Sequence, residues 1–301
     1  MVYKDIIYEV RNGAAWILIN RPEVYNAFRG QTVEELIHAF NKAGYDKDIG
    51  VIVLGGVGAK AFCTGGDQSV HDGNYDGRGM IGMPVEELHA AIRDVPKPVI
   101  ARVQGYSIGG GNVLGVICDM TICSESAIFG QVGPKMGSVD PGYGTAYLAR
   151  VVGEKKAREI WYMCRRYSGQ EAVAMGLANI CVPDAQLDEE VQKWCDEIME
   201  KSPTALMIAK RSFNADTEHI RGIGNQGFVS LKMYYDSDES REGVSASTPS
   251  ASRTSASLRN KNSEKLKDAK NGFFILTGTA GLSGNRAPVW RRKTRALLSA
   301  A

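Results

Sequence analysis

The segment Gly105-Tyr106-Ser107-Ile108-Gly109-Gly110-Gly111 decides how this 301-residue chain folds. It follows an apolar strand and opens an apolar helix, and this strand, turn and helix order is typical of an α/β protein. The backbone N–H groups of such a turn can point at an anion. Taken alone, the glycines favour a tight loop that needs positive φ over an anion-binding turn. A second turn of the same kind is Thr64-Gly65-Gly66-Asp67-Gln68.

Further along the chain, residues 130–144 read Gly-Gln-Val-Gly-Pro-Lys-Met-Gly-Ser-Val-Asp-Pro-Gly-Tyr-Gly. This stretch places one hydroxyl, Ser138, and one carboxylate, Asp140, two residues apart within glycine-shaped backbone. Two turns that each offer a peptide N–H suit an acyl oxygen that becomes an enolate or a tetrahedral oxyanion. We therefore predict that residues 130–144 contain the reaction centre. The alternative is turn chemistry alone, because Asp140 precedes Pro141 and Ser138 could bond to backbone.

Four motifs follow one another in a specific order. They are Asn20-Arg21-Pro22 with Asn26-Ala27, then Ala61-Phe62-Cys63-Thr64-Gly65-Gly66-Asp67, then Lys97-Pro98-Val99-Ile100-Ala101 leading into the triple glycine, and then Phe129-Gly130-Gln131. In this order the chain resembles the crotonase (enoyl-CoA hydratase/isomerase) superfamily over about residues 5–246. The resemblance implies an α/β fold with a crotonase-like ββα spiral core over 1–200 and a C-terminal helical region over 201–246. It also implies an oxyanion hole, formed by the N–H groups of Gly66 and Gly110, for a coenzyme A thioester carbonyl.

The two glutamates that the hydratases of this family place over the substrate are missing. This chain has Val113 and Gly133 at the matching positions. Neither residue can transfer a proton, so water addition to a double bond by that pair is excluded. The polar residues that remain are Ser138 and Asp140 and, at the end of a predicted apolar helix, Tyr235.

This pattern resembles the branch of the superfamily that makes or breaks carbon–carbon bonds beside the thioester. The 1,4-dihydroxy-2-naphthoyl-CoA synthases of menaquinone biosynthesis close a ring, and the 2-oxocyclohexanecarboxyl-CoA hydrolases open one to give pimeloyl-CoA. Both reactions need a stabilised thioester enolate. Three features favour the hydrolase. The segment 68–77 after Asp67 contains no Lys or Arg. The other two are the sequence Ser138-Val139-Asp140-Pro141 and the group Lys156, Arg158, Glu159, Ile160 and Trp161.

The resemblance therefore implies ring-opening hydrolysis of 2-oxocyclohexane-1-carboxyl-CoA, as in anaerobic benzoate and alicyclic acid degradation. The synthase and a catalytically silent crotonase-fold binding protein are the alternatives. The implied catalytic residues are Gly66, Gly110, Ser138, Asp140 and Tyr235. In this scheme Asp140, paired with Ser138, activates water, and Tyr235, supplied by a neighbouring subunit, hydrogen-bonds the ring ketone.

The implied substrate and coenzyme A contacts are Tyr25, Ala61, Thr64, Gly65, Asp67, Gln68, Tyr75, Tyr106 and Gly133. Gly133 is expected to leave a hole that could bind the attacking water or bicarbonate. Coenzyme A enters as part of the substrate, and no metal or other cofactor is expected. The expected partner is a small-molecule acyl-CoA, and the resemblance implies a homotrimer or homohexamer.

Composition favours a cytoplasmic enzyme. Hydrophobic residues make up 44% of the chain, and the sequence contains no uncharged apolar run long enough to cross a membrane. Residues 1–5 do not resemble a signal peptide. The six cysteines form no Cys-x-x-Cys pair and are interpreted as reduced core residues. His38, His89 and His219 are predicted to lie on helix surfaces, and capping boxes are predicted at Thr32–Glu35 and Ser168–Glu171.

Residues 247–301 are predicted to form a disordered, atypical basic tail. They contain eleven Lys or Arg and two acidic residues, so residues 1–246 carry a formal net charge of −7. Suitable codons for 247–257, regrouped one base earlier, spell Phe-Asn-Ala-Lys-Arg-Lys-Pro-Asp-Phe-Arg-Lys, which resembles the ending expected for the family. We therefore hypothesise that this tail is translated out of frame. Binding of nucleic acid or anionic membrane by its basic residues is the rival interpretation, which charge alone does not favour.

Overall fold

The computed structural model describes residues 2–70, 75 and 77–247, and ten strands and eleven α-helices lie within these ranges. The strands are β1 (Ile6–Arg11), β2 (Ala14–Ile19), β3 (Val51–Gly56), β4 (Ala61–Cys63), β5 (Val99–Val103), β6 (Tyr106–Ile108), β7 (Met120–Ser124), β8 (Ile128–Gly130), β9 (Arg166–Ser168) and β10 (Ile180–Val182). The helices are α1 (Gly30–Tyr45), α2 (Val85–Asp94), α3 (Gly110–Ile117), α4 (Gly133–Met136), α5 (Ala146–Val152), α6 (Glu154–Met163), α7 (Gly169–Ala174), α8 (Leu187–Met199), α9 (Pro203–Asp216), α10 (His219–Tyr235) and α11 (Asp238–Ser247).

The strands form two sheets. The larger sheet has the order β1-β2-β3-β5-β7-β10, and the smaller has the order β4-β6-β8-β9. Only the outer pairs β1/β2 and β8/β9 are antiparallel. Along the chain, β3-β4-α2, β5-β6-α3 and β7-β8-α4 each place one strand in each sheet and then a helix. This repeat confirms the predicted α/β class and the ββα spiral.

The central strands of the larger sheet, β2, β3 and β5, are buried on both faces, which explains their nearly continuous apolar sequences. All six residues of β3 are buried. Ile52 and Leu54 face the main core between the sheets and helices, whereas Val51 and Val53 face a second cluster. Residues from α8, among them Val191 and Cys195, complete that second cluster. From Leu187 onward the described chain is helical, through α8, α9, α10 and α11.

Several local predictions can be compared with the structure. The capping box at Ser168 is confirmed, because its hydroxyl accepts from the Glu171 N–H at the start of α7. The box at Thr32 is wrong: α1 begins two residues earlier, and the Glu35 carboxylate accepts from the Lys4 and Asp5 amides instead.

The histidine and cysteine predictions have mixed outcomes. His38 and His219 are exposed as predicted, but His89 is only 4% exposed, packs edge-on against the ring of Tyr143, and has its pKa lowered by burial to about 4. All six cysteines are free thiols, with five buried and Cys181 half-buried.

The predictions for the basic tail lie outside the described residues, apart from Ser247, which ends α11. No helix in the described part of the chain is long and apolar enough to span a membrane.

Candidate active site

The first glycine turn presents the Gly66 amide to a cavity. Gly66 forms a parallel bridge with Phe28, in which the Phe28 N–H donates to the Gly65 carbonyl at 2.8 Å and the Asp67 N–H donates to the Phe28 carbonyl at 2.9 Å. The two flanking residues supply these bonds, so the N–H of Gly66 itself points away from Phe28. Gly65 has φ of +88°, which lets the chain turn sharply here.

The second turn brings the Gly110 amide to the same place. Gly110 is the first residue of α3, so its N–H has no partner inside the helix. The nitrogen of Gly110 lies 3.0 Å from the position that a Cβ on Gly65 would occupy, so the two turns are in contact. Both Gly66 and Gly110 line one cavity, and neither amide donates to another group within the described ranges. This geometry suits an oxyanion hole.

The polar wall of the cavity comes from residues distant in sequence. The hydroxyl oxygens of Ser138 and Tyr235 are 3.0 Å apart and share a hydrogen bond. Asp140 lies on the same wall and is half-buried. Helix α10 brings Tyr235 here because Pro141 packs directly on the backbone of Gly227, with no side chain between them.

Two expectations about this wall are wrong. Tyr235 was expected from a neighbouring subunit, but the Tyr235 of the same chain reaches Ser138. Ser138 was also expected to pair with Asp140, whereas its hydroxyl bonds to Tyr235 and no hydrogen bond joins it to the carboxylate of Asp140 in the described chain. The Ser138 hydroxyl is therefore hydrogen-bonded to the tyrosine and not to the carboxylate.

Burial sets the acidity of the groups around Asp140. It raises the pKa of Asp140 from the ordinary 3.8 to about 6. It also raises the pKa of Tyr235 and of Cys63 to about 12, and that of Tyr75 further. These three neighbours are therefore uncharged near neutral pH. Asp140 is the group that can change its proton near physiological pH.

The cavity has a volume of about 80 Å³. Its lining is mostly apolar, from Phe28, Ile81, Met83, Val85, Val132, Met136, Phe228 and Leu231, with Thr64, Gln68, Tyr75, Ser138, Asp140 and Tyr235 as its polar side chains. Among the described residues that line it, Asp140 supplies the only carboxylate, and none is Lys or Arg. The Tyr75 hydroxyl lies 2.2 Å from where a Cβ on Gly66 would stand, so it closes over the first turn.

The hole expected at Gly133 is absent. A Cβ at this position would lie 2.5 Å from the Ser138 carbonyl oxygen and 2.9 Å from Cζ3 of Trp161. Gly133 lines the cavity with its backbone, but the space where its side chain would be is already filled. The Gly133 position therefore offers no such hole for water or bicarbonate, and an effect of bicarbonate on the protein stays a prediction.

The structure divides the predicted binding residues into two groups. Thr64, Gly65, Gln68, Tyr75 and Gly133 line the cavity. Tyr25, Ala61, Asp67 and Tyr106 do not. Of these four, Ala61 is a buried residue of β4, and its carbonyl accepts from the Asn26 side chain.

Asp67 holds the first turn in place. Asp67 is only 4% exposed. Its carboxylate accepts hydrogen bonds from the Arg21 guanidinium at 2.8 Å and from the Ser69 hydroxyl at 2.7 Å. These hydrogen bonds outweigh burial and lower its pKa. Asp67 thus stabilises the conformation of the first turn and does not line the cavity.

An aromatic cluster lies beside the cavity. The rings of Tyr25 and Tyr106 are edge-on with centroids 6.1 Å apart, and the Thr64 hydroxyl donates to the Tyr25 carbonyl. The guanidinium of Arg166 lies 5.4 Å from the Tyr106 ring centroid. The sequence gave no reason to single out Arg166, because it reaches Tyr106 only through the pairing of β6, β8 and β9.

Sequence reasoning also missed Trp161 as a site residue. Its indole N–H donates to the Gly144 carbonyl, and its ring lies against Gly133 and Gly144. A Cβ at Gly144 would meet Cβ of Asp140 at 2.8 Å, Cγ2 of Val113 at 3.0 Å and Cζ2 of Trp161 at 3.4 Å. Trp161 therefore supports the backbone against which Asp140 packs.

Known proteins share this architecture. The enoyl-CoA hydratase/isomerase family profile matches residues 9–247. An enoyl-CoA hydratase from Mycobacterium avium subsp. paratuberculosis K-10 is 26% identical, with a TM-score of 0.72, over 81% of this chain and 96% of that one. An enoyl-CoA hydratase/isomerase from Pseudoalteromonas atlantica T6c is similar in fold, with 23% identity and a TM-score of 0.76 over 83% and 99% of the two chains. A monofunctional enoyl-CoA isomerase from M. smegmatis is 24% identical, with a TM-score of 0.60 over 71% and 94%.

The matched region begins in β1 and ends with α11, so it includes both glycine turns, the Ser138–Asp140 segment and Tyr235. Because the family profile spans more than three quarters of the sequence, the chain belongs to the enoyl-CoA hydratase/isomerase family, the crotonase superfamily.

Proposed function

We propose that this acyl-CoA-processing enzyme opens the ring of 2-oxocyclohexane-1-carboxyl-CoA by hydrolysis to give pimeloyl-CoA. One observation carries the proposal. Among the described residues that line the cavity, Asp140 supplies the only carboxylate, which lies beside the hydrogen-bonded hydroxyls of Ser138 and Tyr235 and on the same cavity as the amides of Gly66 and Gly110. A hydratase of this family would need two carboxylates at other positions, which hold Val113 and Gly133 here.

The lining of the cavity favours a neutral acyl group. Its side chains are mainly aliphatic or aromatic, and its described part contains no Lys or Arg to meet a free carboxylate. A saturated six-membered ring with one ketone matches this lining, whereas an acyl group with its own carboxylate would be desolvated without a partner. This difference supports the hydrolase over the naphthoyl-CoA synthase.

The proposed reaction begins when Asp140 takes a proton from water and the oxygen of that water bonds to the ring ketone carbon. Tyr235 hydrogen-bonds the ketone oxygen while it accepts a hydrogen bond from Ser138. The bond between the former ketone carbon and the α-carbon then breaks, and its electron pair moves into the thioester enolate. Gly66 and Gly110 stabilise the enolate oxygen through their N–H groups.

In the last step, protonated Asp140 returns its proton to the α-carbon. The former ketone carbon becomes a carboxylic acid, so one substrate and one water give pimeloyl-CoA, with no net change at the enzyme. A carboxyl group whose pKa is about 6 can both accept and return a proton near neutral pH.

The test is incubation of the purified protein with 2-oxocyclohexane-1-carboxyl-CoA, with pimeloyl-CoA measured by mass spectrometry. Asp140→Asn is run beside it, and Asp216→Asn, an exposed carboxylate paired with Arg150, is the matched control. We expect product from the wild type and the control, and about 10²- to 10⁴-fold slower product formation by Asp140→Asn. Turnover of succinylbenzoyl-CoA alone would move the assignment to the synthase. Silence on both would support the binding protein.

Three other expectations accompany this proposal: a homotrimeric or homohexameric assembly, a cytoplasmic location, and an effect of bicarbonate. Light scattering of the full chain tests the first and fractionation of the native host tests the second. Activity in bicarbonate-free buffer, before and after bicarbonate is added, tests the third.

A further inference from the structure

The last described helix, α11, contacts the start of the segment that carries Ser138. The Ser240 hydroxyl donates a hydrogen bond to the Gly137 carbonyl at 2.6 Å, and Ser240 is 1% exposed. Gly137 ends α4 in the left-handed conformation, with φ of +68°. The next residue is Ser138, whose hydroxyl meets Tyr235.

The backbones of α11 and this segment touch without an intervening side chain. A Cβ on Gly137 would lie 2.2 Å from the Ser240 carbonyl oxygen, and a Cβ on Gly243 would lie 2.4 Å from the Gly137 nitrogen. Both distances are too short for real atoms, so glycine is required on both sides of the contact. The hydrogen bond from Ser240 therefore acts within a tightly packed joint.

A rigid corner links α11 to Tyr235. Ser237 lies between α10 and α11, where its hydroxyl donates to the Tyr234 carbonyl at 2.6 Å and accepts from the Ser240 N–H at 3.2 Å. This is the bonding pattern of a helix N-cap, which fixes the first turn of α11. The corner thus holds two neighbouring residues at once, Gly137 through Ser240 and Ser138 through Tyr235.

We propose that Ser240 is a positioning residue for the reaction, which holds the Gly137 carbonyl so that Ser138 stays within hydrogen-bond reach of Tyr235. The role in catalysis rests on the proposed function, because it requires that Tyr235 acts on the substrate ketone. Hydrogen bonds weaken steeply beyond about 3.2 Å, so a small shift of Gly137 is enough to separate the two hydroxyls.

The activity test compares Ser240→Ala with Ser240→Thr, which keeps a hydroxyl, and with Ser245→Ala on the same helix. Ser245 is exposed, and within the described ranges its hydroxyl bonds only to the Arg241 carbonyl one turn earlier, so it is a matched control. We expect kcat of Ser240→Ala to fall about tenfold with KM unchanged, the equivalent of one hydrogen bond. Ser240→Thr should recover most of this loss, and Ser245→Ala should match the wild type. Unchanged kcat in Ser240→Ala, or no recovery by threonine, overturns the proposal.

A second measurement separates this inference from the proposed function. Hydrogen exchange of the peptide that covers 137–144 is followed by mass spectrometry in the full-length variants without substrate. We expect faster exchange in Ser240→Ala than in Ser245→Ala or the wild type, and equal exchange in all three overturns the role of Ser240. If the wild type does not open the ring, the proposed function fails while this measurement still tests Ser240.

Discussion

Replacing Asp140 with asparagine should stabilise the fold near neutral pH while it removes activity. Burial raises the pKa of Asp140 from 3.8 to about 6, so the folded protein holds this proton more tightly than the unfolded chain. The contribution of Asp140 to stability is fully present below pH 3.8 and is lost as the pH rises through about 6. Above that pH the folded protein keeps an ionised carboxylate in a partly desolvated site, and asparagine avoids this cost.

The size of the effect follows from the shift. One pKa unit corresponds to about 1.4 kcal/mol, so a shift from 3.8 to about 6 corresponds to about 3 kcal/mol. About 2 kcal/mol of this difference falls between about pH 4.5 and about pH 8. The free energy of unfolding of both proteins is measured with urea at these two pH values and one protein concentration.

We expect Asp140→Asn to gain stability over the wild type by about 2 kcal/mol more at the higher pH than at the lower. An equal difference at both values would refute the assignment of a buried, weakly acidic carboxyl. The same group should control activity. As the pH increases, kcat/KM of the wild type should rise with a midpoint near pH 6. Asp140→Asn should be about 10²- to 10⁴-fold slower, and its kcat/KM should no longer rise through pH 6.

Three further substitutions test neighbouring parts of the site. Asp67→Asn should destabilise the protein by about 3 kcal/mol at neutral pH. This loss of stability should become smaller in acid. The pKa of Asp67 is lowered in the folded protein, so its carboxylate stabilises the fold above the unfolded pKa, and this contribution is lost as the pH falls through the folded pKa. A loss that does not change with pH in urea unfolding would contradict this. Gly144→Ala would place a methyl group 2.8 Å from Cβ of Asp140, so kcat should fall at least tenfold with little change in KM, and wild-type kcat would show that the contact does not matter. Gly133→Glu should lower the melting temperature and should not restore hydratase activity, because a Cβ at this position would collide with the Ser138 carbonyl. A stable variant that hydrates enoyl-CoA would contradict this packing around Gly133.

The parts of the fold that local sequence controls were predictable. Residues 105–111 connect the apolar strand β5 to the apolar helix α3 as predicted, but they also contain the short strand β6, and residues 64–68 directly follow β4. The segment with Ser138 and Asp140 lines the same cavity as Gly66 and Gly110, and its role as the reaction centre stays a prediction. Each of these predictions depends on residues close together in the chain.

The errors concern contacts between distant segments. The hole at Gly133 is filled by Trp161, which follows 28 residues later on α6, and by a carbonyl of its own loop. The partner of Ser138 is Tyr235, 97 residues away, and it arrives in the same chain because α10 packs on Pro141. Thr32 and Glu35 match a capping pattern, yet Glu35 serves the amides of Lys4 and Asp5 on a neighbouring segment. Spacing along the chain carries no information about such contacts.

The number of carboxylates in the cavity bears on the reaction class. Addition of water across a double bond needs one group to take a proton from water and another to deliver one to carbon, and this family uses two glutamates for that. In reverse Claisen cleavage the two proton transfers occur one after the other, so one carboxylate can perform both if its pKa lies near the working pH. Asp140 has such a pKa because burial raises it to about 6 and none of the described residues that line the cavity is Lys or Arg. In the proposed reaction the absence of both glutamates and the weak acidity of Asp140 are connected, because one proton moves from water to Asp140 and then from Asp140 to the α-carbon.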